Sequence, residues 1–187
     1  MFRQAMRSWS FGLLLVLGSC ATGPTIEANY DHSANFAAYR TFGYFSPLGT
    51  DKSGYSTLVT QALKDATRRE MEARGYTYSE SSPDLLLNFN AKLARQVQVS
   101  QVPMGAPMGY YGYRGGFYGG WGGYYTNVDQ YTEGTLNIDL VDARRRQLVW
   151  EGVAIGRVTE KHRENREAAI NTAVAEMFKK FPFRAGS

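Results

Sequence analysis

The feature that most constrains the fold is a long alternation of apolar and polar residues in DLLLNFNAKLARQVQVSQ, residues 84–101. Odd positions from Leu85 to Val99 are almost all apolar, whereas even positions from Asn88 to Ser100 are mostly polar. Because successive side chains of a strand point to opposite faces, this period of two predicts one long strand, or two joined by a bend. One face of that strand is expected to lie in water and the other to be covered.

Two segments with helical periodicity can supply the cover. In residues 56–74 the apolar residues recur mostly every three or four positions, and Gly75 follows, where a left-handed stop is easiest for glycine. Residues 165–183, NREAAINTAVAEMFKKFPF, show the same spacing between Asn165, a candidate N-cap, and Pro182, a stop. We therefore expect two amphipathic helices packed on one face of a sheet.

Three further segments also indicate strands. Residues 37–46, AAYRTFGYFS, indicate a first strand, and TLNIDLVD followed by LVWEGVAIGRV indicates a hairpin. The second arm of that hairpin has apolar residues on both parities, which a β-bulge or a strand covered on both faces would explain. The fold class expected is α+β in two layers, with an antiparallel or mixed sheet.

An export signal precedes this domain. Arg3 and Arg7 lie before the apolar run FGLLLVLG, which is too short for a comfortable membrane span and typical of a signal peptide. The only cysteine, Cys20, follows Leu17, Gly18 and Ser19. These residues resemble the bacterial lipobox, which implies cleavage after residue 19 and acylation of Cys20.

The predicted mature chain is anchored to a membrane by lipid. The motif's usual inner-membrane signal is Asp after the cysteine, and Ala21 stands there instead, so the resemblance implies the periplasmic face of the outer membrane of a Gram-negative bacterium. We expect a signal peptide at 1–19, a lipidated tether at 20–35 and one α+β domain at 36–187.

The charge of the chain does not indicate a nucleic-acid partner. Lys and Arg number 21 and Asp and Glu number 17, so the formal charge of +4 falls to about +2 once Arg3 and Arg7 leave with the signal. The one dense basic run, residues 144–146 between two predicted strands, is read as a solvated turn. Contact with anionic lipid or lipopolysaccharide phosphate is the alternative for that run.

No residue pattern indicates catalysis, a cofactor or a metal. The two histidines, His32 and His162, are far apart in sequence, and no G-x-S-x-G, H-E-x-x-H or P-loop motif is present. Glu160, His162 and Glu164 are spaced two apart, which does not bring three ligands together. We predict a protein that is not an enzyme; the alternative is an envelope hydrolase that acts on glycan through carboxylates.

A segment rich in glycine and aromatic residues stands out at residues 103–127, PMGAPMGYYGYRGGFYGGWGGYYTN. It contains no aliphatic side chains that could form a core of their own, so we expect a long flexible loop between two strands. Either it has no role, or its rings bind sugars, partner proteins or a membrane interface. The candidate binding residues for an envelope protein or glycan are Tyr110, Tyr111, Phe117, Trp121, Tyr124 and Tyr125.

Several stretches together resemble a known family. NYDHSANFAAYRTFGYF, the GY after the first helix, PDLLLNF and LNIDLVDARRRQLVWEG are similar to the bacterial lipoprotein family catalogued as domain of unknown function 4136. The matching positions are Tyr30, Asp31, Phe36, Tyr39, Thr41, Phe42, Asp139, Asp142, Leu148, Trp150 and Gly152. The resemblance implies the fold and the lipidation, but it implies no reaction.

Overall fold

One mixed sheet of six strands organises the chain in the computed structural model, which describes residues 23–52, 54–103 and 124–186. The strands are β1 (Thr25–Tyr30), β2 (Thr41–Tyr44), β3 (Thr77–Tyr78), β4 (Leu85–Pro103), β5 (Tyr124–Asp142) and β6 (Gln147–Arg157). They lie in the order β1-β6-β5-β4-β2-β3. Neighbours are antiparallel, except that β2 runs parallel to β3 and β4.

The described residues also form three α-helices: α1 (Leu58–Glu72), between β2 and β3, and α2 (Glu160–Glu164) and α3 (Arg166–Phe178), after β6. The Thr57 hydroxyl accepts the Thr60 N–H and begins α1, and Gly75, with φ +86°, follows its end as predicted. Asn165 holds the N-cap position of α3 without a side-chain hydrogen bond. None of the helices in the described part of the chain is long and apolar enough to cross a membrane.

The core lies between one face of the sheet and the helices α1 and α3. The odd residues Leu85, Leu87 and Phe89 of β4 are fully buried there. Neighbouring strands contribute Ile138, Leu140 and Trp150, and the helices contribute Leu63, Met71, Val174, Met177 and Phe178. The predicted α+β fold with helices on a mixed sheet is therefore confirmed.

A β-bulge explains the mixed parity of β6. Leu140 pairs with Trp150, but the next residue, Val141, pairs with Leu148, so Val149 is the extra residue. Val149 and Trp150 are both fully buried although they are adjacent in sequence. The indole ring of Trp150 lies over Gly152, where a Cβ would collide with it.

The N-terminal boundary differs from the predicted tether at 20–35. Residues 25–30 form β1, which pairs with β6 along its whole length, from Thr25 opposite Ile155 to Tyr30 opposite Trp150. Tyr30 also contacts Phe183, which stacks on Phe36 with ring centroids 3.6 Å apart. These contacts tie both ends of the domain together, so the domain begins about ten residues earlier than expected.

Candidate functional site

The long hairpin of β4 and β5 projects beyond the rest of the sheet. β6 pairs with β5 only as far as Arg157 opposite Glu133. Nine further pairs, from Arg95–Thr132 to Pro103–Tyr124, join β4 and β5 alone. At about 3.3 Å per residue, residues 95–103 and 124–132 form a ribbon about 30 Å long, called the arm below. β2 pairs with β4 only at residues 85–87, so among described residues no third strand flanks the arm.

At its base the arm is reached by Arg163 of α2, whose Nη2 donates to the Thr132 hydroxyl at 3.4 Å. Beyond that point, one face of the arm continues the helix-covered face of the sheet. Val97, Val99 and Val128 lie there, 59 %, 59 % and 54 % exposed. Arg95 is the charged residue that the arm places on this face, and the uncharged polar residues Thr126, Gln130 and Thr132 of β5 lie beside the valines. We call Arg95, Val97, Val99 and Val128 the apolar face of the arm. Exposed valines at spacing two on a free ribbon are unusual enough to indicate a contact surface.

The opposite face of the arm is polar and internally bonded. Arg157 forms an ion pair with Asp129, at 3.3 Å between Nη1 and Oδ2, and its guanidinium lies 4.1 Å from the centroid of the Tyr131 ring. The Gln96 side-chain amide donates to Glu133 at 3.0 Å. Both carboxylates of the arm region, Asp129 and Glu133, are therefore on this face, away from the valines.

Only two of the six aromatic residues predicted for binding are among the residues that the structure describes. Tyr110, Tyr111, Phe117 and Trp121, like Cys20, lie outside the described residues. Tyr124 and Tyr125 begin β5, where their main chains pair with Pro103 and Val102. The predicted loop boundaries of 103–127 are therefore too wide, since pairing with β4 extends β5 through a polar stretch that lacks an apolar alternation.

The turn between β5 and β6, at the end of the sheet opposite the arm, is organised by Asp142. Its side chain is largely buried and accepts the Arg144 and Arg145 backbone N–H groups at 2.9 and 2.8 Å. It also accepts the Tyr39 hydroxyl at 2.9 Å and Arg145 Nε at 3.0 Å. The Arg-rich run is thus a turn, as predicted, and Asp142 holds its backbone in place.

The same end contains a second bound carboxylate. Asp84 Oδ2 accepts the backbone N–H groups of Arg40 and Thr41 at 2.9 and 3.1 Å and the Thr41 hydroxyl at 3.0 Å. Arg144 Nη2 lies 3.8 Å from Asp84 Oδ1, and the Arg144 side chain is 88 % exposed. Asp84 therefore connects β2 to β4 and to the turn.

The electrostatics of both carboxylates follow from these hydrogen bonds. Burial alone would raise the pKa of Asp142, but the hydrogen bonds from Arg145, Tyr39 and Arg144 outweigh it and lower that pKa. The pKa of Asp84 is lowered in the same way, by Arg40 and Thr41 against its burial. Both groups stay ionised, so they act as fixed acceptors and do not serve as proton donors near neutral pH.

A shallow hollow lies between these residues. It has a volume of about 250 Å³ and is lined by Ser33, Asn35, Ala38, Tyr39, Asp84, Asp142, Arg144 and Arg145. Its size is below the range of 300–1,000 Å³ typical of small-molecule pockets, and its polar groups bind one another. The arrangement fits a structural hub better than a ligand pocket.

The open face of the sheet carries a pair of carboxylates. Asp139 of β5 lies directly opposite Glu151 of β6, and burial together with Glu151 raises the pKa of Asp139. Asn137 donates to Glu151 at 3.1 Å, and Asn90 lies 3.4 Å from Asp139. Asp139 and Asp142 lie on opposite faces of β5, because only Asp142 shares the face of the buried Ile138 and Leu140. Among the described residues, no group of three or more His, Cys, Asp or Glu side chains could hold a metal ion.

Comparison with known proteins identifies the family. The model for "Domain of unknown function (DUF4136)" matches residues 26–183. The chain belongs to the DUF4136 family. A search of curated proteins gave no match.

Two crystal structures share the DUF4136 fold of this chain at low sequence identity. A DUF4136 family protein from Bacteroides thetaiotaomicron is 20 % identical, with a TM-score of 0.54 over 88 % of this chain and 99 % of that one. A PDZ domain protein from Parabacteroides distasonis is 12 % identical, with a TM-score of 0.57 over 84 % of this chain. The chain spans 35 % of the length of that second protein. Both likenesses support the fold alone.

Most of the residues that carry the family resemblance have structural roles. Asp142 and Tyr39 hold the β5–β6 turn, Thr41 binds Asp84, and Trp150 packs over Gly152. Asp31 accepts the Ser33 N–H at 2.8 Å and Gln147 Nε2 at 3.0 Å. The sequence could not separate such hub residues from a catalytic set, because both consist of polar side chains near strand ends.

Proposed function

We propose that this DUF4136 protein is a lipid-anchored protein of the cell envelope that binds or scaffolds an envelope component and catalyses no reaction. The anchor is Cys20, whose thiol takes a diacylglyceryl group before residues 1–19 are removed, and the location is the periplasmic face of the outer membrane. The observation that carries the binding role is the arm, a ribbon of nine strand pairs that supports no core of its own.

The arm is suited to contact with a partner because its tip lies far from the rest of the domain. Its last pair, Pro103 with Tyr124, lies about 30 Å beyond the last pair of β5 with β6, and the segment of glycine and aromatic residues at 104–123 connects these two residues in sequence. Tyrosine and tryptophan rings present large amphipathic surfaces, which suit protein, glycan or membrane partners. A protein or glycan of the envelope is the partner predicted for this segment.

Glycan hydrolysis through carboxylates, the alternative function, is not favoured by the site. The two carboxylates of a glycosidase flank the scissile bond, about 5–9.5 Å apart, and substrate lies between them. Asp139 and Glu151 instead project side by side from the open face of the sheet, on neighbouring strands. Such a surface offers no space between the two groups for a sugar ring.

The anchor is tested by replacing Cys20 with serine. Cells expressing either form are labelled with radioactive palmitate and fractionated on a density gradient. The native protein is expected to carry label and to sediment with outer membranes, and the variant to lose both properties. A labelled, membrane-bound Cys20→Ser variant would overturn the proposed anchor. The Ala21→Asp variant tests the sorting step, since it is expected to shift toward the inner membrane.

The binding role is tested by changing the aromatic residues while keeping the length of the segment. A variant with Tyr110, Tyr111, Phe117, Trp121, Tyr124 and Tyr125 changed to serine is compared with native protein by crosslinking and recovery from intact cells. Loss of partners from the serine variant supports aromatic contact. Recovery of every partner by both forms would show that the segment is a passive spacer.

A further inference from the structure

The chain enters the sheet at the end from which the arm leaves it. Thr25, the first residue of β1, pairs with Ile155, and Ile155 pairs with Thr135 of β5. A Cβ on Gly156 would lie 3.2 Å from Pro24, so Pro24 is placed beside the last residues of β6. Because β1 runs away from the arm, the residues before Thr25 lead back toward the arm's end of the domain.

The arm reaches further than the segment that joins the anchor to the domain. Residues 20–24 span at most about 18 Å when fully extended. The arm extends about 30 Å from the last pairing of β5 with β6. Its fifth pair, Val99 with Val128, lies about 17 Å along it. Thr25 lies level with Thr135 of β5, so the pair Val99–Val128 lies about 23 Å beyond it, slightly further than the acylated cysteine can reach in the same direction.

The chemistry of the apolar face of the arm matches a lipid surface, and that of the polar face does not. The apolar face has three exposed valines and Arg95, and the polar residues beside them, Thr126, Gln130 and Thr132, are uncharged. Asp129 and Glu133 are both on the polar face, where Arg157 and Gln96 bind them. An apolar surface with a cation suits the boundary between acyl chains and phosphate groups, whereas carboxylates are repelled there.

We propose that the arm lies obliquely against the same lipid leaflet that holds Cys20, with its apolar face toward the lipid and its polar face toward water. This inference rests on the proposed anchor and adds a second membrane contact to it. Three partly exposed valines bind lipid weakly alone, so the contact sets the orientation of the domain and does not hold it there. A second copy of the chain is a poorer occupant of this face. Stable interfaces bury about 800 Å² per partner, which is more than three valines can supply.

The test measures the depth of single residues in a bilayer. The acylated full chain, purified from membranes, is reconstituted into vesicles of phosphatidylethanolamine and phosphatidylglycerol that contain a brominated lipid quencher. A fluorophore is attached at Val99→Cys, while acylation blocks Cys20. Gln98→Cys is the matched control, because residue 98 lies on the polar face of the same strand, and Arg144→Cys reports the opposite end of the sheet.

Quenching at residue 99 is expected to be at least fivefold stronger than at residues 98 and 144. Equal or absent quenching at residue 99 in acylated, vesicle-bound protein would overturn the lipid contact and leave the anchor intact. Crosslinks between residues 99 of two copies, without quenching, would overturn it in favour of self-association. If mass spectrometry shows no acyl group on Cys20, the anchor is wrong and this inference falls with it.

Discussion

The two halves of β4 have the same alternating sequence pattern but opposite environments. In the first half, Leu85, Leu87 and Phe89 are completely buried under the helices. In the second half, Val97 and Val99 continue the same face and are each 59 % exposed. Alternation therefore predicts that a strand has an apolar face, but it does not predict what covers that face. In this protein the cover on β4 ends after Phe89, since Leu93 on the same face is already 69 % exposed, and the remainder is available for contacts outside the domain.

The strongest test of this difference places a charge in each half of β4. Leu87→Asp is expected to destabilise the domain by more than about 4 kcal/mol, because it buries an unpaired carboxylate. Val99→Asp, on the same face of the same strand, is expected to change stability by less than about 0.5 kcal/mol. Denaturant unfolding measures both. Similar losses for the two variants would show that the arm is packed as the core is.

The hub at the opposite end of the sheet gives the next largest effect. Asp142→Asn keeps the size of the side chain but replaces the charged acceptor of Arg145 Nε with a neutral amide. We therefore expect the free energy of unfolding to fall by about 2 kcal/mol at neutral pH. Because the pKa of Asp142 is lowered by folding, its contribution is present above the pKa of the unfolded chain. The contribution is lost as pH falls through the lowered pKa.

The difference between native protein and Asp142→Asn should therefore shrink below about pH 4. Asp139→Asn is the matched control from the same strand, since folding raises the pKa of Asp139. That variant should be at least as stable as native protein at neutral pH, and the two should converge as acid protonates Asp139. Unfolding curves across this pH range check both signs; a constant loss for Asp142→Asn at every pH would contradict the assigned charge.

A smaller loss is expected at Gly152. Its replacement by alanine places a methyl group against the buried indole of Trp150, which the surrounding core holds in place. Overpacking of this kind costs about 1–3 kcal/mol. Gly23→Ala is the control, because a Cβ there meets no atom within 4 Å. Thermal unfolding compares them; equal stability of the two variants would mean that Trp150 moves freely.

The smallest effect is expected from the segment carried by the arm. Replacement of residues 104–123 by a short Gly/Ser linker should leave the melting temperature nearly unchanged, because loop length enters closure entropy only logarithmically. The linker ends at residue 123 so that Tyr124 and the pairing of β5 are kept. A large fall in melting temperature would show that this segment stabilises the domain and does not merely extend from it.

Periodicity located the elements that have an apolar face, and it failed for those held by the main chain. β4, α1 and α3 were predictable from spacing alone, whereas β1, TIEANY, is mostly exposed and pairs with β6 through its backbone. The outer part of β5 is polar in the same way and is fixed by β4. The mixed parity of β6 was visible, but only the register distinguished a bulge from a doubly covered strand.

The candidate site was predictable to a smaller extent. Composition singled out the glycine and aromatic segment, and the lipobox-like residues singled out Cys20. The apolar face of the arm was visible as an alternation and was interpreted as core, since Val97 and Val99 differ from Leu85 and Leu87 only in their surroundings. The link between Asp142 and Tyr39 spans 103 positions, and no local pattern encodes such a contact.

Amide hydrogen exchange along β4 and β5 tests most directly the claim that the arm stands free of the core. Amides in residues 85–89 and 134–142 should be strongly protected, since β4 is buried on its core face as far as Phe89 and this part of β5 lies between β4 and β6. Amides in residues 95–100 and 126–132 should exchange at least about 100-fold faster, because this part of the ribbon can open without unfolding the domain. Equal protection of the two halves would contradict the account, since it would require a cover over the arm within the folded domain.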